Sequence, residues 1–361
     1  MTPAPVTPWW SWAAPALALS LAALGLVVLH GAVPAVFFLV AIPALFAAVF
    51  AAVHHAETVA HRIGQPFGSI VLALSVTVIE VSLIVSMLLS SPDAESSVAR
   101  DTVFAAIMIV LNGIVGLCLL IGGLRFHEPG FQARGAIKAL GVLGTLAVLG
   151  LVLPNYTTTT PGPVYAPKQL IFVATVSLAL YGLFLYVQTI RHKEAFRDAE
   201  DDHDDHTPPD RRSFLIALLL LPLSLLAVVL LAEVLAHPVE EGIAHLGLPE
   251  ALIGVIIALI VLLPEALASV RAARANRLQT SMNLALGSAL ASLCLTIPTV
   301  AILSLMLGQT LILGLEAEHI VLLVLSLFMA TLTLATGRTT ILQGGIHLVI
   351  FFAFLTIAAI P

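Results

Sequence analysis

Two acids lie where acids are costly. Glu80 sits in the apolar run IVLALSVTVIEVSL and Glu265 in VIIALIVLLPEALA. Each is roughly 14–15 residues from one end of its span, which at 1.5 Å per residue is near the middle of a hydrocarbon core about 30 Å thick. A charge at that depth costs about 2.5–3.5 kcal/mol on insertion scales, so an intramembrane carboxylate is read first as a functional group that takes up and releases a cation or a proton. A single such residue is also compatible with a protonated, hydrogen-bonded structural role. Two at matched places make that role a poor explanation.

No Lys or Arg lies near the middle of any span, so the countercharge for these acids is a mobile ion or protons. Carboxylate, carbonyl and hydroxyl oxygens suit a hard ion such as Ca²⁺, and no thiolate or histidine cluster adjoins them to favour Zn²⁺ or Cu⁺. Pro264 cannot donate to the carbonyl of Ile260, which leaves that oxygen available beside Glu265. Ser75 and Thr77 offer hydroxyls one to two turns before Glu80. Asn112 and Ser288, buried in later spans, could supply uncharged oxygen ligands. They could equally be packing glue among the small neighbours Gly113, Gly116, Gly287 and Ser292. Glu57 and His61 near one mouth, and Glu240, Glu241 and His245 near the other, fit gates or proton relays, or else ordinary interfacial residues.

These residues are carried by a chain of 361 residues that is 60% hydrophobic and 10% charged, with mean hydropathy +1.08. A soluble core is excluded. Apolar runs predict eleven spanning helices at about 11–30, 33–60, 67–90, 101–124, 136–154, 169–190, 213–236, 250–271, 280–306, 318–336 and 341–360. None of the lysines Lys138, Lys168 and Lys193 follows a glycine as a phosphate-binding loop requires, so no ATP motor is expected. Cys118 and Cys294 both lie in apolar runs and suggest neither disulfides nor a thiolate metal cluster. With alternating spans, every Lys and Arg except Arg100 and Lys168 falls on one side of the membrane. The positive-inside rule makes that side cytoplasmic, with the N-terminus inside and the C-terminus outside.

The chain repeats itself. ETVAHRIG ends span 2 and EGIAHLG follows span 7; the runs holding Glu80 and Glu265 come next; GLCL in span 4 then answers SLCL in span 9, which sets Asn112 opposite Ser288. The histidine pair His61/His245 and the glutamate pair differ in separation by one residue. The expected organisation is an extra N-terminal helix at 1–32, a five-helix repeat at 33–190, an acidic cytoplasmic loop at 191–212 and a second five-helix repeat at 213–361. Because five is odd, matched helices enter the membrane from opposite faces, giving an all-α polytopic protein with two inverted-topology repeats, the mark of secondary transporters. The loop EAFRDAEDDHDDHTPPD reads as a flexible linker, or alternatively as a weak cation or pH sensor.

At these segments the chain resembles a known family. HHAETVAHRIGQPFGSIVLALSVTVIEVSLIVS, ARDTVFAAIMIVLNGIVGLCLLIGGLR and NLALGSALASLCLTIPTV are similar to the repeat regions of Ca²⁺/H⁺ antiporters of the cation/Ca²⁺ exchanger superfamily, most closely the bacterial ChaA-type calcium, sodium and potassium/proton antiporters. The resemblance spans about residues 50–361 and implies eleven helices, an acidic cytoplasmic loop and essential acids that fall on Glu80 and Glu265. The superfamily's kinking proline is present before Glu265, whereas Ile79 precedes Glu80. The function so implied is export of Ca²⁺ against H⁺ across a bacterial inner membrane. Na⁺ or K⁺/H⁺ exchange at the same site is the alternative, and a channel is further off, since no filter-like motif is present. No cofactor, nucleic acid or ATP enters this reading; the partners are cations, protons and lipid.

Overall fold

The computed structural model describes residues 8–28, 34–63, 67–90, 97–128, 130–191, 209–245, 247, 249 and 251–360. Among these the regular elements are helices, with two isolated β-bridges, Gly130–Arg338 and Val164–Ile312. The helices are α1 (Trp10–Ala23, continued by a π turn Leu24–Val28), α2 (Ala35–Ile63), α3 (Phe67–Ser90) and α4 (Val98–Phe126, with a π turn Ile109–Ile114). Then come α5 (Ala133–Ala147, tightening through Val148–Val152 and Leu153–Tyr156), α6 (Pro167–Tyr186, continued by Val187–Arg191), α7 (Arg211–His245) and α8 (Ala251–Arg274). The last three are α9 (Leu278–Leu307), α10 (Ala317–Ala335) and α11 (Ile341–Ala359). Ten are long and apolar enough to cross a membrane over their described residues, and α3 carries the apolar stretch Leu74–Val85. The eleven helices expected from hydropathy are present.

One boundary differs in a way that matters. Span 7 is expected to end at 236, before Pro238, yet α7 runs on to His245. Proline already has a helical φ and removes a single backbone bond, a loss that membrane helices tolerate. The E-x-x-A-H segments of both halves therefore occupy the last turns of a helix, α2 in one case and α7 in the other.

The chain forms two compact units, and each draws helices from both sequence halves. The first holds α1, α2, α3 and α7. Its centre is α2, whose Ala41, Ala44, Ala48, Ala51, Ala52 and Ala56 are buried and let neighbouring backbones approach closely. His55 Nε2 meets the Ser11 carbonyl at 2.9 Å, which fastens α2 to α1.

In the second unit α4 is the axis, with 78% of its span buried against 28% for α11. A Cβ on Gly254 of α8 would stand 2.8 Å from the Thr102 amide nitrogen, and one on Gly116 of α4 would stand 2.8 Å from His347 Cβ. Glycine is what allows these crossings. At one end the chain is tied down by backbone bonds from Leu315 to Leu151 (2.8 Å) and from Gly314 to Pro163 (2.9 Å), and by the Asn155 amide on the Leu315 carbonyl (2.8 Å). Leu219, Val321, Leu342 and Phe352 are exposed on the helix surfaces, where a bilayer and not water supplies their solvent.

Candidate functional site

Glu80 lies in α3 of the first unit and is only 2% exposed; Glu265 lies in α8 of the second and is 7% exposed. Both side chains are thus withdrawn from the surface. Thr77 is three residues before Glu80, so the two side chains share a helix face, and it is buried as well. Ser75 is buried, but its hydroxyl donates to the Val71 carbonyl of its own helix (2.8 Å), which leaves only oxygen lone pairs to offer.

In the second unit α8 stays helical across Pro264, and the Ile260 carbonyl on the preceding turn loses the amide that would have bonded it. Ser269, one turn beyond Glu265 and on the same face, is fully buried with its hydroxyl unpartnered. Sequence reading passed over it, although the spacing in PEALAS was the available signal. Ser288 is buried in α9. Glu57 is half-buried near the end of α2 and His61 is exposed there. The side chains of Glu240, Glu241 and His245 lie outside the described residues, as does 192–208 of the acidic loop.

Asn112 occupies the π turn of α4, where the extra residue per turn swings its side chain toward α10 and α11. Its amide nitrogen donates to Ser326 Oγ (2.8 Å), and its oxygen lies 3.1 Å from His347 Nδ1. Since an amide oxygen only accepts, His347 carries its proton on Nδ1, and Nε2 accepts from the Thr333 hydroxyl at 3.2 Å. Asn112, Ser326, Thr333 and His347 form a closed buried network that joins three helices. Replacing Asn112 by Leu removes the oxygen that His347 Nδ1 faces and one donor to Ser326, whose hydroxyl still donates to the Leu322 carbonyl (2.7 Å), and an expected loss of about 1–3 kcal/mol follows. The check is thermal unfolding of the purified variant: a lowered midpoint marks a structural link, whereas unchanged melting with lost transport gives the Asn112 oxygen to the ion.

A second polar group sits at the end of the second unit. Arg100 is buried and bonds Asp101 Oδ1 at 2.7 Å, the Gly314 carbonyl at 3.2 Å and Glu316 at 3.6 Å. Partial burial, reinforced by the hydrogen bond shared with Glu318, holds the Glu316 carboxyl above the usual range, with Arg100 opposing. Sequence reading took Arg100 as one of two loop charges on the outer side and gave it no partner.

The sodium/calcium exchanger protein family profile matches residues 33–190 and 216–360. A putative ionic transporter, y4hA, of Sinorhizobium fredii is 51% identical over 358 residues, covering 98% of this chain and 97% of its own. The sodium-potassium/proton antiporter ChaA of Escherichia coli is 37% identical over 322 residues, covering 88% and 87%. A Ca²⁺/H⁺ antiporter of Aphanothece halophytica is 26% identical, covering 73% and 76%. Among solved structures, native YfkE has a TM-score of 0.74 at 19% identity over 96% of this chain and 99% of its own, and the H⁺/Ca²⁺ exchanger CAX a TM-score of 0.69 at 17% over 96% and 89%. Those two likenesses establish a shared fold. With both sequence halves matched and this fold underneath them, the chain belongs to the sodium/calcium exchanger protein family.

Proposed function

We propose that the chain is a Ca²⁺/H⁺ antiporter of a bacterial inner membrane, in which Ca²⁺ and protons compete for Glu80 and Glu265. One observation supports this above the others: two buried carboxylates stand at equivalent positions of two inverted sequence halves, with no basic residue at mid-span to neutralise them. Two ionised glutamates balance one Ca²⁺, and two protonated glutamates need no ion. Both loaded states are neutral, so both can be enclosed in a low-dielectric interior at tolerable cost; the empty, doubly ionised state cannot. That difference forbids a return without cargo and makes exchange obligatory. Thr77, Ser75, Ser288 and the Ile260 carbonyl complete the oxygen set, and Glu57, His61, Glu240, Glu241 and His245 serve as proton relays or gates at the two mouths. The proton gradient then drives Ca²⁺ outward.

A specific observation favours a second reading. The Escherichia coli relative is a sodium-potassium/proton antiporter at 37% identity, so monovalent ions are the competing cargo for the same carboxylates. Proteoliposomes holding a trapped pH indicator and given Ca²⁺, Na⁺ or K⁺ separately decide between them. Proton movement driven by Ca²⁺ is the expected result, and movement driven only by Na⁺ or K⁺ transfers the assignment to the monovalent ions.

Orientation follows from the charge split, with the N-terminus and 191–212 in the cytoplasm and the C-terminus outside. In intact cells a cysteine placed within 194–210 is expected to resist membrane-impermeant maleimides, and one placed at 360 to react. The reverse pattern overturns the topology.

A further inference from the structure

Glu316, Glu318 and His319 stand at the start of α10, and each offers one ligand atom within 4.8 Å of the other two. Acids in the first turn of a helix are common, because exposed amides and the helix dipole favour them. That accounts for Glu318, which accepts a bond from its own backbone amide. It does not account for His319. This imidazole is 6% exposed, rests against the Phe104 ring with centroids 4.8 Å apart, and buries Nδ1 with no hydrogen-bond partner. A buried ring nitrogen is normally bonded, and leaving it bare costs about 1–3 kcal/mol. Beside the ring lie two carboxylates, each with an oxygen within 4.8 Å of a ring nitrogen, and those sit close enough to each other to share a hydrogen bond. Two carboxylates that close repel when both are ionised, and a cation between them, in addition to the Arg100 guanidinium 3.6 Å from Glu316, relieves that repulsion.

We propose that Glu316, Glu318 and His319 form a binding site for a divalent transition-metal ion of the Zn²⁺ class, separate from Glu80 and Glu265 and on the face we assign to the outside. One imidazole with two carboxylates is a borderline donor set that suits Zn²⁺ better than Ca²⁺ or Mg²⁺, which want oxygen alone. Ligand atoms around a tetrahedral Zn²⁺ are about 3.4 Å apart, so the three must close by little more than an ångström. Glu316 and Glu318 are both exposed and can supply that movement by rotamer change while the buried imidazole stays fixed. The nearby guanidinium does not forbid it. Arg100 remains bonded to Asp101 Oδ1 and to the Gly314 carbonyl when Glu316 turns away, so no buried cation is stranded. The segment that carries the site is anchored by the Leu315–Leu151 and Asn155–Leu315 bonds, and its backbone is therefore already in place.

The test is calorimetric titration of Zn²⁺, with Mg²⁺ in excess, into the purified full-length chain in detergent and into two variants, Glu316→Gln/Glu318→Gln and His319→Gln. Histidines of the acidic loop are shared by all three proteins, so the difference between titrations reads this site alone. The wild type is expected to bind one more Zn²⁺ per chain than the double variant, and His319→Gln to lose the same event. Because His319 packs on Phe104, its variant is scored only if its melting without metal matches the wild type; the exposed double variant carries the test regardless. Equal stoichiometry and affinity in the wild type and the double variant overturn the proposal, and so does full binding by a folded His319→Gln.

Discussion

Glu80→Gln and Glu265→Gln, each in the otherwise unchanged chain, are expected to abolish Ca²⁺-driven proton movement while leaving expression and thermal unfolding close to the wild type. The amide copies the shape of the protonated acid, so the proton-loaded state and its packing survive. The cation-loaded state does not, since a divalent ion then faces one negative charge. A unit charge lost about 4 Å from a divalent ion is worth about 8 kcal/mol at an effective dielectric constant near 20, roughly a million-fold in binding. The assay is a trapped pH indicator in proteoliposomes of each variant, and wild-type rates in either one remove that glutamate from the exchange.

Gly344→Leu is expected to be the most damaging substitution outside the acids. A Cβ there would collide with the Leu120 backbone nitrogen, stand 2.7 Å from Leu120 Cα and 2.9 Å from the Gly116 carbonyl oxygen. Every one of those atoms is backbone, so no side chain can rotate aside; α4 and α11 must part. Parting them also stretches the link between Asn112 and His347. An overpacked interface costs about 1–3 kcal/mol even where side chains can yield, and more is expected where backbone is struck. Gly345 provides the control, since a Cβ on it meets nothing within 4 Å. Size-exclusion profiles and melting curves should show Gly344→Leu aggregated or strongly destabilised beside a near-normal Gly345→Leu. Equal behaviour of the two contradicts the close crossing.

The sequence made the helices legible because membrane spans are set by one variable, the length of an apolar run, and because turn residues such as Pro66, Pro92 and Gly337 punctuate the runs. The repeat was legible because E-x-x-A-H and the two glutamates recur in register. What was hidden depends on which face of a helix meets which neighbour. Asn112 was seen, but its bonds to Ser326 and His347 depend on a π turn that leaves no mark in composition. His347, a lone histidine within an apolar run, was visible as a letter yet had no repeat partner or spacing to single it out. His319 acquires meaning only once Phe104 buries it and the Leu315 backbone is seen to be fixed. Pro238 misled in the other direction, since a residue that ends helices in water is carried through one here.

The claim that one divalent ion replaces two protons at a pair of glutamates is a statement about charge, and charge is measured most directly by voltage. Proteoliposomes carrying the wild-type chain, with the membrane potential set by K⁺ and valinomycin and Ca²⁺ and H⁺ fluxes followed together, provide that measurement. If Glu80 and Glu265 are the whole of the titrating site, two protons move per Ca²⁺, no net charge crosses, and the final Ca²⁺ gradient is the same at every imposed potential. If a third proton moves, one charge crosses per cycle at about 2.3 kcal/mol per 100 mV, and the gradient shifts roughly fifty-fold over that range. A flat response is the result this account predicts, and a steep one contradicts the two-carboxylate exchange at its centre.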